Sequence, residues 1–158
     1  MRHSILLLCF GLVLYSFIVS GCSRSGVPVQ KVLGTVTLDG KPIDDVTVSF
    51  VPKSGGSRPA IGRTNPQGQF EMITGGASVN GVMTGEYIVT FTKSILVTPD
   101  GKEAKPFEFL PNGDPPPAQK LTEKHLIPLK YSDVKEPLFD VTVESGKTNR
   151  YTFDLKSE

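Results

Sequence analysis

Turn-forming residues interrupt this chain about every ten residues, and that spacing constrains its fold more than any other feature. The 158 residues include 16 Gly and 13 Pro, too much punctuation for a helical bundle. Between the interruptions lie short segments in which apolar and polar residues alternate, the period of a strand with one buried face. Val32, Val36 and Leu38 share one face of the first segment, and Val46, Val48 and Phe50 share one face of the next, which Pro52 ends. Asp39-Gly40 between them is a two-residue hairpin signal. Ala60 to Thr64 reads as a short strand, Asn65-Pro66-Gln67-Gly68 as a turn, and Phe70 and Met72 as inward residues of the strand after it. Tyr87 to Thr92 is β-branched, aromatic and alternating. Phe139, Val141 and Val143 alternate, as do Tyr151, Phe153 and Leu155, and Ser145-Gly146-Lys147-Thr148 between them predicts a terminal hairpin. About seven short strands, with no helix long enough for a parallel crossover, predict an all-β, antiparallel β-sandwich.

Three stretches depart from this rhythm. Gly75 to Gly85 carries glycines and small polar residues and reads as a loop approaching a strand. Residues 97–119, with Pro115-Pro116-Pro117 near their end, are longer than ordinary domain loops. Phe107 and Phe109 within them are expected to pin the loop to the sandwich. Leu121 to Ile127 is expected to form one helical turn stopped by Pro128.

The first thirty residues obey a different logic. Arg2 and His3 precede an apolar run from Ile5 to Val19, which ends at Ser20-Gly21-Cys22. A positive start, a short apolar core and small residues at the end form the layout of an export signal. The run is shorter than the roughly 20 residues a membrane-crossing helix needs. Val19, Ser20 and Gly21 before Cys22 resemble a bacterial lipobox. That resemblance implies cleavage after Gly21, lipid on the Cys22 thiol, and removal of residues 1–21 as a signal peptide. Small residues suit a narrow peptidase groove, and the nucleophilic thiol takes the acyl-bearing group. Acyl chains contribute about 0.8 kcal/mol per buried CH₂, so a diacylated cysteine holds a small domain on a membrane. Residues 22–30 then serve as lipidated cysteine and tether, and residues 31–158 as the domain. With Cys9 removed and Cys22 modified, the domain contains no disulfide and relies on its apolar core. Ser23 after the cysteine resembles the outer-membrane sorting pattern, which implies an exported location at the outer membrane or in the periplasm.

The domain itself carries a second resemblance. Gly34-Thr35-Val36-Thr37-Leu38-Asp39-Gly40-Lys41-Pro42 and Val48-Ser49-Phe50-Val51-Pro52 are followed by Gly62, Thr64, Gly68 and Phe70, then by Gly85, Tyr87 and Val89. Ile127-Pro128-Leu129-Lys130-Tyr131 and the closing Val141/Val143 and Phe153/Leu155 pairs complete the order. Together they resemble carboxypeptidase regulatory-like, transthyretin-like (prealbumin-like) domains of small bacterial lipoproteins. Asn65 stands where that pattern has Asp, which keeps the turn and removes a charge. The resemblance implies a seven-stranded Greek-key sandwich in a family whose members mostly lack an assigned activity.

Charge and chemistry narrow the function classes. Seventeen Lys+Arg against 16 Asp+Glu leave no basic footprint for nucleic acid. His125 is the one histidine after the signal segment and reads as a surface or packing residue. No His/Cys/Asp spacing suits zinc, and Asp44-Asp45 are adjacent, so in an extended strand they point apart instead of converging on calcium. Hydrolases with the transthyretin-like fold need several histidines and a closing Tyr-Arg-Gly-Ser, whereas this chain ends Asp154-Leu155-Lys156-Ser157-Glu158. The expectation is a lipid-anchored cell-envelope protein with a structural, adhesion or binding role, no catalysis, no metal and no cofactor. The alternative is a carbohydrate- or peptide-binding accessory module of an envelope assembly. Its partners would be the membrane, through the lipid, and an envelope protein or glycan.

Overall fold

A computed structural model describes residues 28–74, 80–104, 109, 111–112 and 120–158. The lipobox residues Val19, Ser20, Gly21 and Cys22 lie outside them, as does Phe107. The described residues form eleven strands, several of them fragments: β1 (Val32–Leu38), β2 (Lys41–Pro42), β3 (Thr47–Pro52), β4 (Ala60–Arg63), β5 (Gln69–Glu71), β6 (Ile73–Thr74), β7 (Gly85–Thr92), β8 (Ser94–Val97), β9 (Thr122–His125), β10 (Phe139–Val143) and β11 (Asn149–Leu155). A 3-10 helix, Leu129–Ser132, interrupts the series, and no α-helix occurs among the described residues.

The strands form three sheets. In the first, β1 pairs along one edge with β11 and along the other with β5 and β2. The second runs β10-β7-β3-β4-β6, and β8 with β9 makes a separate ribbon. Alternation places the apolar residues between the two main sheets. Val32, Val36, Phe70, Phe153 and Leu155 come from the first, and Val48, Phe50, Tyr87, Val89, Phe91 and Val143 from the second. Aromatic rings span the gap: Phe50 meets Tyr151 edge-on at 6.0 Å and Phe91 meets Phe153 at 5.0 Å. The all-β character and the inward alternation agree with the sequence reading.

The Asp39-Gly40 turn forms as expected, with Leu38 opposite Lys41 and φ of 51° and 78° at its two central residues. These are the positive angles that a type I′ hairpin turn demands. The Asn65 turn also forms. Its side-chain oxygen accepts from the Gln67 and Gln69 amides at 3.0 and 2.9 Å, so the side-chain amide holds the turn as a carboxylate would.

Three expectations fail, each for a physical reason. The two closing strands do not form a hairpin: β10 pairs with β7 in the second sheet, while β11 pairs with β1 in the first. Both turn an apolar face to the same core, so they face each other across it. The wholly antiparallel expectation fails with it, because β11 runs parallel to β1 over seven residues. A parallel pair needs a long connection, and first and last strands have the whole domain between them. Finally, Leu121–Ile127 is not a helical turn. Thr122–His125 is strand β9, held to β8, and the helical turn follows Pro128 instead. Proline lacks an N–H and presets φ, so here it precedes a helical turn where it was expected to end one.

Sheet topology also defines two ends. The chain enters at Gln30, which bridges to Val82 and accepts from the Gly146 amide at 2.9 Å through its side chain. The β10–β11 connection and the start of β7 lie at this end. β1 then runs about 20 Å, at about 3.3 Å per residue, to the opposite end. There the 3-10 helix corks the sandwich: Tyr131 stacks on Phe139 at 6.1 Å, and its hydroxyl accepts from the Lys156 amide at 2.7 Å.

Candidate functional site

The sandwich end opposite Gln30 carries a two-stranded ribbon and a cleft. After Thr92 the chain leaves the second sheet at Lys93 and continues as the β8–β9 ribbon. Its register sets Ser94 opposite His125 and Leu96 opposite Glu123, all on one face, with Ile95, Val97, Thr122 and Lys124 on the other. A bond from the Leu126 amide to the Lys93 carbonyl, 2.8 Å, continues the pairing to the ribbon's root. Beyond the ribbon, Val97 bridges Glu103, and the Ala104 amide reaches the Leu96 carbonyl at 2.7 Å. Part of the long loop is therefore a built arm. Phe109, expected as a buried pin, is 67% exposed instead.

Between the root of this ribbon and the 3-10 helix lies a cleft of about 200 Å³. Ser94, Glu123 and His125 line one side, and Pro128, Leu129 and Ser132 the other, with Phe91 and Ile127 at its base. Ile127 and Phe91 are buried, whereas Leu129 is 59% exposed and forms an apolar lip.

Several polar groups near the cleft are already committed. Lys93 lines the cleft too, and its ammonium donates to both the carbonyl and the carboxylate of Asp44, each at 2.8 Å. That hydrogen bond and charge hold the Asp44 carboxyl below its ordinary range. Asp45, in the left-handed region at φ 54°, pairs instead with Arg63 at 3.0 Å. The two acids thus take different partners, in a bend instead of an extended strand, and no group of three metal-ligating side chains occurs among the described residues. Ser132 Oγ donates to the Leu129 carbonyl at 2.8 Å within its own helical turn.

The cleft thus combines a carboxylate, an imidazole and the Ser94 hydroxyl with an apolar lip, beside a strand edge. Such a surface suits recognition of a mixed polar and aliphatic ligand. Of the residues singled out in the sequence, His125 lines it, as do Ile127, Pro128 and Leu129 of the Ile127–Tyr131 motif. Glu123 was missed because reading 121–127 as a helical turn takes Glu123 and His125 off a common face. Their spacing of two was the available signal.

No family model matches the chain, and neither does any curated protein. Among solved structures, the chain is similar to a 9R-lipoxygenase from Cyanothece PCC8801, at 13% identity and a TM-score of 0.34. The alignment covers 81% of this chain and 16% of that one, so the chain spans a small fraction of the lipoxygenase. A likeness at that score implies neither a shared fold nor a shared activity.

Proposed function

We propose that this is a lipid-anchored cell-envelope protein whose domain acts by binding, without catalysis, at the end of the sandwich remote from its anchor. The observation that carries this reading is topological. The tether joins at Gln30, while the ribbon and its cleft lie at the far end of β1. An acylated Cys22 followed by a short tether would seat the Gln30 end towards the membrane and present the cleft outward. Residues 23–29 could extend at most about 24 Å, enough reach to clear lipid headgroups.

The non-catalytic reading is supported by how the cleft's groups are used. Ser132 is bonded within its own turn, Lys93 is held by Asp44, and Ser94, opposite His125 in the ribbon register, makes no hydrogen bond to its imidazole. A nucleophile–base pair would need a free hydroxyl aligned on an oriented imidazole. The finer fold assignment, a Greek-key sandwich of the carboxypeptidase regulatory-like, transthyretin-like kind, rests on the ordered motifs from Gly34 to Leu155. The Asp39-Gly40 turn and the Asn65 turn, both formed, support it.

Between the two kinds of accessory binding, the cleft favours peptide over glycan. Sugar rings stack on exposed aromatic faces, and the aromatic here, Phe91, is buried at the base.

Mass spectrometry of the membrane fraction tests the anchor. The expected N-terminal peptide begins at Cys22 and carries acyl chains, and Cys22→Ala releases unlipidated protein. A soluble wild-type protein with an unmodified Cys22 would refute it.

A further inference from the structure

The outer edge of β9 pairs with no strand among the described residues, and all four of its side chains are exposed. A free edge presents backbone donors and acceptors that only another extended polypeptide satisfies in series. β11 offers a longer edge, but its side of the sandwich is bridged. The Tyr151 hydroxyl crosses to the Thr142 carbonyl of β10 at 2.8 Å. β9 stands clear, and beside it lies the cleft.

The charges on β9 then choose the partner. Glu123 and Lys124 join no ion pair among the described residues, and they sit on opposite faces of the ribbon. An antiparallel pair brings opposed residues to the same face, their Cβ atoms about 5 Å apart. Two copies of β9 related by a twofold axis keep like faces together, so residue 123 can oppose only 121, 123 or 125 of the second copy. The register with 123 opposite 125 places Lys124 against Lys124. The register with 123 opposite itself places Glu123 against Glu123. Each centres a like-charge pair on the axis, and slipping further removes most of a four-residue edge. The strand is thus built against itself.

The same two charges are complementary to a different strand. We infer that β9 docks an extended segment of another protein antiparallel to itself, with an acidic residue opposite Lys124 and a basic residue, next in its sequence, opposite Glu123. The basic residue falls on the cleft face. There its aliphatic stem lies along Leu129 while its charge meets the Glu123 carboxylate. Antiparallel pairing is preferred because it is the more stable per residue. This docking mode rests on the binding role proposed above and specifies the partner's chemistry.

The test uses the full chain in detergent micelles and two capped hexapeptides of one composition, Thr-Val-Glu-Lys-Val-Thr and Thr-Val-Lys-Glu-Val-Thr, at millimolar concentration. The readout is amide hydrogen exchange across residues 120–126. The first peptide should slow exchange there and bind about tenfold more tightly than the second, since two opposed charge pairs become two mismatched ones. Exchanging the charges, Glu123→Lys with Lys124→Glu, should reverse the preference; both side chains are exposed, so the fold has no stake in them. Equal binding of both peptides, no protection by either, or a preference that survives the exchange would each overturn the inference. Intact mass of the same sample reports lipid on Cys22 separately. Lipidated protein without peptide protection sinks the docking alone, and protection of unlipidated protein sinks the anchor alone.

Discussion

The Asp154 carboxylate accepts the Gly40 amide at 2.9 Å, tying the last strand to the turn that ends the first. The same oxygen accepts from Thr37 Oγ1 at 2.7 Å, and the Asp39 amide donates to the Leu155 carbonyl at 2.8 Å. The positive φ of Gly40 turns its N–H towards β11, so the turn chosen for the β1–β2 hairpin also serves the β1–β11 pair. Asp39-Gly40 thus ties the end of the first strand to the last.

This carboxylate makes the fold acid-sensitive in a defined window. Hydrogen bonds from Lys156, Thr37 and Gly40 lower the Asp154 pKa from the ordinary 3.8 to about 2. A depressed folded-state pKa means that the unfolded chain takes up the proton first. Its stabilisation is therefore complete above about 4 and fades as pH falls towards 2. Thermal melts of Asp154→Asn should show a shallower fall in Tm between pH 4 and 2 than wild type. An unchanged slope would place the acid sensitivity elsewhere.

Gly34 marks a second constraint. It sits between Phe70 on β5 and Tyr151 on β11 in the register of the first sheet. A Cβ there would lie 2.3 Å from the Phe70 ring and 2.7 Å from the Tyr151 carbonyl. Phe70 occupies the space that the glycine leaves and stacks on Phe153 at 6.3 Å. Gly34→Ala should cost about 1–3 kcal/mol in urea unfolding, as overpacking does. The Gly34→Ala/Phe70→Leu pair should lose less than the two single changes combined, because the smaller side chain relieves part of the clash. Strict additivity would show that the carbonyl contact dominates.

Asn149 decides how β10 and β11 part company. Its buried carboxamide accepts from the Glu144 amide and donates to the Glu144 carbonyl, both at 3.0 Å, closing the bend between the sheets. Asn149→Ala removes both bonds from a bend with little room for water and should cost about 1–3 kcal/mol by chemical denaturation. Asn149→Asp keeps the acceptor and should lose less. If the two variants were equally stable, the donor bond would be the one that matters.

The failed hairpin shows why some of this was hidden in the sequence. Alternation in Phe139–Val143 and in Asn149–Leu155 states that each strand has one buried face. It does not state whether two such strands lie side by side or face to face. Nor does a run such as Thr122–His125, with no apolar residue, carry a pattern from which burial could be read. Its strand state comes from pairing with β8.

By itself, the sequence determined what depends on near neighbours: the strand period, the Asp39-Gly40 and Asn65 turns, and the inward residues of β1, β3, β5 and β7. Local sterics and hydrogen bonds act within a few residues and leave their mark on composition and spacing. Tertiary structure alone decided that the first and last strands run parallel, that β10 and β11 belong to different sheets, and that Glu123, His125 and Leu129 share a cleft. Those outcomes follow from packing two apolar faces together over long sequence separations, a free energy spread over the whole core that no short segment encodes.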